Sequence, residues 1–246
     1  MNREELRWFL PPAVIAVLVF LGVMTSFIAG GVRRTQTDLG VATEVSHNRA
    51  NAVFTLTDET GEAELICIVS ANPRNGALTV VAVPPEIPVD IAGSRQTLGA
   101  SMAIGGTDML MEKLAQVVPL PLHHYMTLDR TVLEHTLSAL GVDGSAFFTA
   151  NSPKRKWEAG AALCLDTARA LSGAGVQVGQ MESFFGKVYT DFSVHGAQRY
   201  DHFLKRIGFA GTQSVTLPGG YNMNEDTFTP EQEAMNEMVN RLLNER

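Results

Sequence analysis

Carboxylates gather at the predicted strand ends. Asp58, Glu59, Glu62 and Glu64 surround one turn, and Glu86 follows Pro84-Pro85. Acids so placed can ligate Mg²⁺ or take a proton as a general base; they also occur as ordinary solvated loop charges. One dense basic cluster, Lys154-Arg155-Lys156-Trp157, stands apart. It reads as a solvated loop, or as a contact for a phosphate or lipid headgroup with Trp157 stacking or anchoring. The candidates are therefore Asp58, Glu64 and Glu86 for acid–base work, Asp58 and Glu64 for Mg²⁺, and Arg155 for an anionic ligand. The residues assign no catalytic group and no metal site outright.

Other chemistries find no support. His123-His124 are adjacent on a predicted strand and point to opposite faces, and His47, His135, His195 and His202 lack ligand spacing. Ser172-Gly173-Ala174-Gly175 and Asp143-Gly144-Ser145 do not form a G-x-S-x-G turn. No phosphate-binding G-x-x-x-x-G-K-[ST] occurs. Gly173, Gly175 and Gly179 are one residue too widely spaced for a dinucleotide loop and follow a helix pattern rather than a strand. With 2 Cys in 246 residues there is no four-thiolate zinc site. Cys67 lies in a buried strand run and Cys164 in a helix stripe, so both read first as small core hydrophobes. A disulfide between them stays open outside the cytoplasm. The formal charge of −7 argues against a nucleic-acid surface.

The elements that would carry these groups alternate. Strands are predicted over Ala52–Thr57, Glu64–Ala71 and Ala77–Val83. The last two form a hairpin through Asn72-Pro73-Arg74-Asn75-Gly76, apolar on both faces and hence covered on both sides. Gly105-Gly106-Thr107 opens a helix carrying Leu110, Leu114, Val117 and Val118 on its apolar stripe. A strand follows at His124–Leu128. Thr131-x-x-Glu134 is a capping box for the next helix, which Gly141 ends. Further helices are expected over Ala161–Leu171 and Ala197–Ile207. Ser214–Leu217 is a last strand closed by Pro218-Gly219-Gly220, and a final helix starts after Thr229-Pro230, with Met235, Met238, Val239 and Leu242 on one face. The class is α/β, a mixed central sheet covered by helices.

The N-terminus differs. Trp8–Gly31 carries no charged side chain and exceeds the roughly 20 apolar residues that a spanning helix needs. It reads as an uncleaved transmembrane helix, with a cleaved signal peptide ending near Ala29-Gly30-Gly31 as the alternative. Arg3 and Arg7 before it match Arg33 and Arg34 after it, so charge leaves the orientation open. The organisation is residues 1–7 as a short N-terminus, 8–31 as the span, 32–51 as a linker and 52–246 as the folded domain.

From Glu62 through Ser70-Ala71-Asn72-Pro73 to Pro84-Pro85-Glu86, the chain resembles the LytR-CpsA-Psr family. There a strand beginning R-x-D-T runs to S-x-N-P, and the returning strand ends S-I-P-R-D. Gly105-Gly106 is similar to the family's Y-G-G, Pro121-Leu122-His123-His124-Tyr125 to P-I-D-H-Y, and Leu137-Ser138-Ala139-Leu140-Gly141 to L-V-D-A-L-G. Val188-Tyr189-Thr190-Asp191-Phe192-Ser193 and Val215-Thr216-Leu217-Pro218-Gly219 are similar to T-D-L-S and T-L-P-G. The resemblance covers Ala52 to Gly220. It implies a cytoplasmic N-terminus, a single membrane anchor and an extracytoplasmic domain serving cell-envelope biogenesis.

The family's active members resemble phosphotransferases. They move a glycopolymer from a polyprenyl-pyrophosphate carrier to peptidoglycan, with the lipid in an apolar cavity and arginines and Mg²⁺ on the pyrophosphate. In this chain the arginine positions carry Glu62 and Pro85, and the aspartate positions carry Glu64 and Glu86. The arginine-rich Y-x-R-x-R stretch has no clear counterpart, and Arg155 substitutes poorly. A carboxylate where a guanidinium belongs reverses the sign at the phosphate. The expectation is a catalytically degenerate protein that binds a polyprenyl-linked or polymeric envelope component. The alternative is an active Mg²⁺-dependent transferase using Asp58, Glu64 and Glu86 for the metal and Arg155 as clamp.

Overall fold

The fold is that of a computed structural model describing residues 50–72, 77–173, 188–191 and 212–244. The expected span Trp8–Gly31, nearly all of the linker, the turn residues Pro73–Gly76 and the expected helix Ala197–Ile207 lie outside the described residues. Among the described residues no helix is long and apolar enough to cross a membrane.

In chain order, β1 (Ala50–Thr57), β2 (Ala63–Ala71) and β3 (Leu78–Val83) form a meander. A small hairpin follows, β4 (Pro88–Ile91) with β5 (Ser94–Thr97). Then come helix α1 (Leu98–Val117), β6 (His124–Asp129), α2 (Arg130–Leu140), the single turn α3 (Ser145–Phe148) and the long α4 (Pro153–Gly173). β7 (Tyr189–Thr190), β8 (Gln213–Thr216), the hairpin β9 (Gly219–Asn222)–β10 (Thr227–Pro230) and α5 (Gln232–Asn244) complete the described elements. The main sheet has the order β7-β6-β1-β2-β3-β8. β1–β2, β2–β3 and β6–β7 are antiparallel, whereas β1–β6 and β3–β8 are parallel. The sheet is mixed, as the sequence predicts.

Every position from Leu65 to Ala71 is buried, and so is all of β3. The reason is that helices cover both faces. Register identifies the faces. Phe54 pairs with Cys67 and Met126, and Cys67 pairs with Ala82, so these four share one face. That face meets α4, whose Cys164 lines one cavity with Phe54, Leu65 and Val69. The other face meets α1: Thr127, next along β6, shares a 3.2 Å hydroxyl hydrogen bond with Thr107.

Several boundaries differ from the sequence expectation. The helix expected to open at Gly105-Gly106-Thr107 already begins at Leu98, where the Thr97 side chain accepts from the Ala100 N–H. Gly105 and Gly106 break it, and Gly106 at φ 69° takes a backbone conformation that a side chain would strain. The capping box at Thr131 does not form. Asp129 caps α2 by accepting from the Val132 N–H, and Glu134 instead accepts from Arg130. Gly141 ends that helix at φ 67°, as expected. Lys154–Trp157 is not a loop: it forms the first turn of α4, with Pro153 at the start, where its missing N–H costs nothing. Ser214–Leu217 is not the last strand: β8 ends at Thr216 before Pro218, and Gly219-Gly220 enters the β9–β10 hairpin, which the sequence reading did not foresee.

Candidate functional site

The site is built around a β-bulge. Leu56 pairs with Leu65 but Thr57 pairs with Ala63, so Ala63 and Glu64 together oppose one residue of β1. The extra residue re-aims its neighbours. Glu64 and Leu65, which alternation would send to opposite faces, both meet α4. Glu64 Oε2 accepts from Lys156 Nζ at 2.8 Å, with the two side chains 12% and 34% exposed. Glu64 Oε1 is buried with no hydrogen-bond partner among the described residues.

Aromatic rings wall this pair. Lys156 Nζ stands 5.5 Å from the Phe147 ring centroid, and the Arg130 guanidinium lies 4.7 Å over Phe148. Glu134 holds the Arg130 charge first, and Glu64 and Glu59 add to that attraction. One residue along α4 from Lys156, Trp157 Nε1 donates to Oε2 of Glu86, which lies between β3 and β4, at 3.1 Å. Burial pushes the Glu86 carboxyl above the usual range, and nearby Asp226 adds to the rise. Its backbone N–H, the indole and Lys156 pull the other way. Trp157 is 3% exposed and meets Phe228 and Tyr221 edge-on at 5.3 and 5.6 Å. The Tyr221 hydroxyl donates to Asp226, and that bond, with some burial, pushes the phenol up to about 12.

The structure separates the sequence candidates. Asp58 serves its own loop, its Oδ1 accepting from Thr60 N–H, Thr60 Oγ1 and Glu62 N–H at 2.8, 2.7 and 3.1 Å. Burial works upward on its carboxyl, but these hydrogen bonds outweigh it and hold the group below its ordinary value. Glu64 answers to Lys156 and Glu86 to Trp157. Arg155 is exposed, and its guanidinium donates to Asn151 at 3.4 Å. Lys156, its neighbour, is the base that reaches the acids. Among the described residues no three His, Cys, Asp or Glu side chains gather to hold a metal ion. Glu62 is exposed and Pro85 is buried, so neither can contact a phosphate as an arginine would.

Sequence reasoning missed Arg130, Phe147, Phe148 and Tyr221, because only the fold brings them to α4. Two of the histidines make hydrogen bonds within the fold: His123 Nδ1 accepts from the Asn51 N–H at 3.0 Å, and His124 Nδ1 lies 2.8 Å from Asp191. Behind the site, Phe54, Leu65, Val80, Leu133, Leu163 and Cys164 enclose much of a narrow apolar cavity of about 20 Å³. Its walls are mostly apolar, with Thr167 and the Cys164 thiol as the polar exceptions.

No family model matches the chain. Two curated relatives are polyisoprenyl-teichoic acid–peptidoglycan teichoic acid transferases called TagU. The one from Bacillus cereus (strain AH820) is 20% identical over 160 residues, 57% of this chain and 52% of that protein. The one from Bacillus mycoides (strain KBAB4) is 24% identical over 174 residues, 61% of this chain and 57% of that protein. The chain thus spans about half the length of the curated relatives it matches. Among solved structures, TagT of B. subtilis superposes with a TM-score of 0.60 at 12% identity, covering 84% of this chain and 94% of that one. A LytR-Csp2A-Psr enzyme from Actinomyces oris superposes with a TM-score of 0.61 at 14% identity, covering 78% and 89%. These superpositions establish the shared fold.

Proposed function

We propose that this chain, a divergent LytR-CpsA-Psr family protein, serves the cell envelope through binding and has lost the transferase step. In this reading Trp8–Gly31 anchors it in the cell membrane, the folded domain is extracytoplasmic, and the ligand is a polyprenyl-linked or polymeric envelope component.

The observation that carries the reading is the Glu64–Lys156 pair. A phosphoryl-transfer site must present uncommitted positive charge to the phosphate oxygens. Here the lysine that reaches the site already neutralises a largely buried glutamate, whose side chain is 12% exposed. The residues at the family's arginine positions are an acid and a proline, and Arg155 turns to Asn151. Mg²⁺ would supply the missing charge in an active enzyme, but the donor set does not fit it. Asp58, Glu64 and Glu86 each face a different partner, and among the described residues no three such acids gather to hold a metal ion. The active-transferase alternative therefore has to rearrange all three.

The test uses the full chain, extracted gently from the membrane of a Gram-positive host and weighed by native mass spectrometry. A co-purifying polyprenyl phosphate, with or without sugars, is the expected result. Absence of lipid overturns the carrier-binding reading. Separately, restored polymer attachment in a strain lacking active paralogues would overturn the degenerate one.

A further inference from the structure

Helix α4 tracks β2 rung by rung. Lys156 meets Glu64, Gly160 meets Leu65, and Cys164 meets Cys67. Cys164, Thr167 and Ala168 share one cavity with Leu65 and Val69. The spacing closes: twelve helical steps of about 1.5 Å match five strand steps of about 3.3 Å to within about 2 Å. The helix therefore lies along the strand, and the contact at Cys67 is one rung of a ladder.

Gly160 sets the separation. A Cβ there would stand 2.4 Å from Leu65 Cδ1, so any larger residue requires the Leu65 side chain to shift. The next rung, one helical turn on, is the cysteine pair. Cys67 is fully buried between Leu65 and Val69 on the face that meets α4, and Cys164 is half-buried. Both are free thiols in this structure, and they are the chain's 2 cysteines.

We propose that Cys67 and Cys164 form an intramolecular disulfide that pins α4 to β2 and fixes one wall of the apolar cavity. The oxidant is a disulfide, either a thiol–disulfide oxidoreductase or a small disulfide. Cys164, the more accessible thiol, loses its proton and attacks one sulfur of the oxidant. A mixed disulfide forms and the first oxidant thiolate leaves. Cys67 then loses its proton and attacks Cys164 Sγ, expelling the second thiolate. Two thiols become one disulfide, the oxidant disulfide is reduced, and the two protons pass to its leaving thiolates to give two thiols. In the reduced protein the Cys164 contact and burial push the Cys67 thiol well above its ordinary value, and oxidation quickens as pH rises and thiolate forms.

The test needs no assumption about where the protein resides. The full chain is reduced, freed of reductant and incubated undenatured with glutathione disulfide at about pH 8, then quenched in acid, alkylated and mapped. The expected product is a Cys67–Cys164 linked peptide with a mass loss of about 2 Da in the intact monomer. Its melting temperature rises by several degrees, because the bond closes a long loop. Cys164→Ser abolishes both the link and the rise. A persistent glutathione adduct on Cys164, an intermolecular dimer, or two alkylated thiols after prolonged oxidation would each overturn the proposal. Recovery of the linked form from the envelope fraction of cells bears on the extracytoplasmic reading alone.

Discussion

At the scale of single residues, the charge state of the site turns on Lys156. Removing it strands a buried carboxylate whose second oxygen already lacks a partner. Fully buried, such a break costs about 3–5 kcal/mol; with Lys156 34% exposed, solvent returns part of that, and about 2 kcal/mol is the expected loss for Lys156→Met. Adding Glu64→Gln should recover most of it, since no charge is then left unpaired. Urea titrations of both variants check this, and equal losses in the single and double variants would mean that the pair is not coupled. Glu86 makes a pH-dependent prediction. Its folded-state carboxyl is raised by burial, so the folded state holds its proton to higher pH than the unfolded chain does. Its favourable contribution is complete below the unfolded value and is lost as pH rises through the folded one. Glu86→Gln keeps an acceptor for Trp157 Nε1 and removes the charge. It should match the wild type at about pH 4 and be at least as stable at about pH 7. Thermal melts at the two values decide, and a variant that weakens relative to wild type as pH rises would refute the sign.

At the scale of elements, the bulge in β2 and the glycine in α4 work together. The bulge turns Glu64 onto the face that α4 covers, and Gly160 lets α4 approach closely enough for Lys156 to reach it. Gly160→Ala would place a methyl against Leu65 and should cost about 1–3 kcal/mol by overpacking, despite the better helix propensity of alanine. Leu65→Ala in the same chain should relieve part of that cost. Denaturant midpoints of the two single variants and the double variant test the contact, and strict additivity would show that the rung is not tight. The same elements explain what could be read beforehand. β2 and β3 announce themselves because apolar, β-branched runs admit little else, and Gly141 marks a helix end by needing φ above zero. The bulge is invisible in sequence, because it is a property of pairing between Thr57 and a strand beyond a turn. Lys154–Lys156 reads as loop because bases at a helix N-terminus oppose the macrodipole; burial of Trp157 and the Glu64 ion pair outweigh that preference. The β9–β10 hairpin was hidden because Gly219-Gly220 looks like an ending, and only pairing with Thr229 and Pro230 makes it a strand.

At the scale of the molecule, the question is whether the space between sheet and helices can hold a lipid. The sheet's α4 face is continuous from Met126 through Phe54 and Cys67 to Ala82, and α2 and α4 close over it through Leu133 and Leu163. The cavity left there among the described residues is narrow, about 20 Å³. A lipid entering between these residues would have to part them, and its binding energy would have to exceed the packing it disrupts. Truncating the wall shifts that balance. Leu163→Ala removes a buried side chain and should destabilise the lipid-free protein by about 2–5 kcal/mol, depending on how far the site collapses. If the apolar layer is the carrier site, the enlarged cavity lowers the work of opening. A short-chain polyprenyl phosphate should then raise the melting temperature of Leu163→Ala by more than it raises that of the wild type, by the mass-action linkage between ligand and folded state. An exposed substitution such as Lys154→Ala, on the same helix but away from the cavity, should show the wild-type shift. Equal shifts in all three proteins would place the lipid elsewhere on the surface. No shift in any of them would leave the envelope role to a ligand or partner that does not enter the fold.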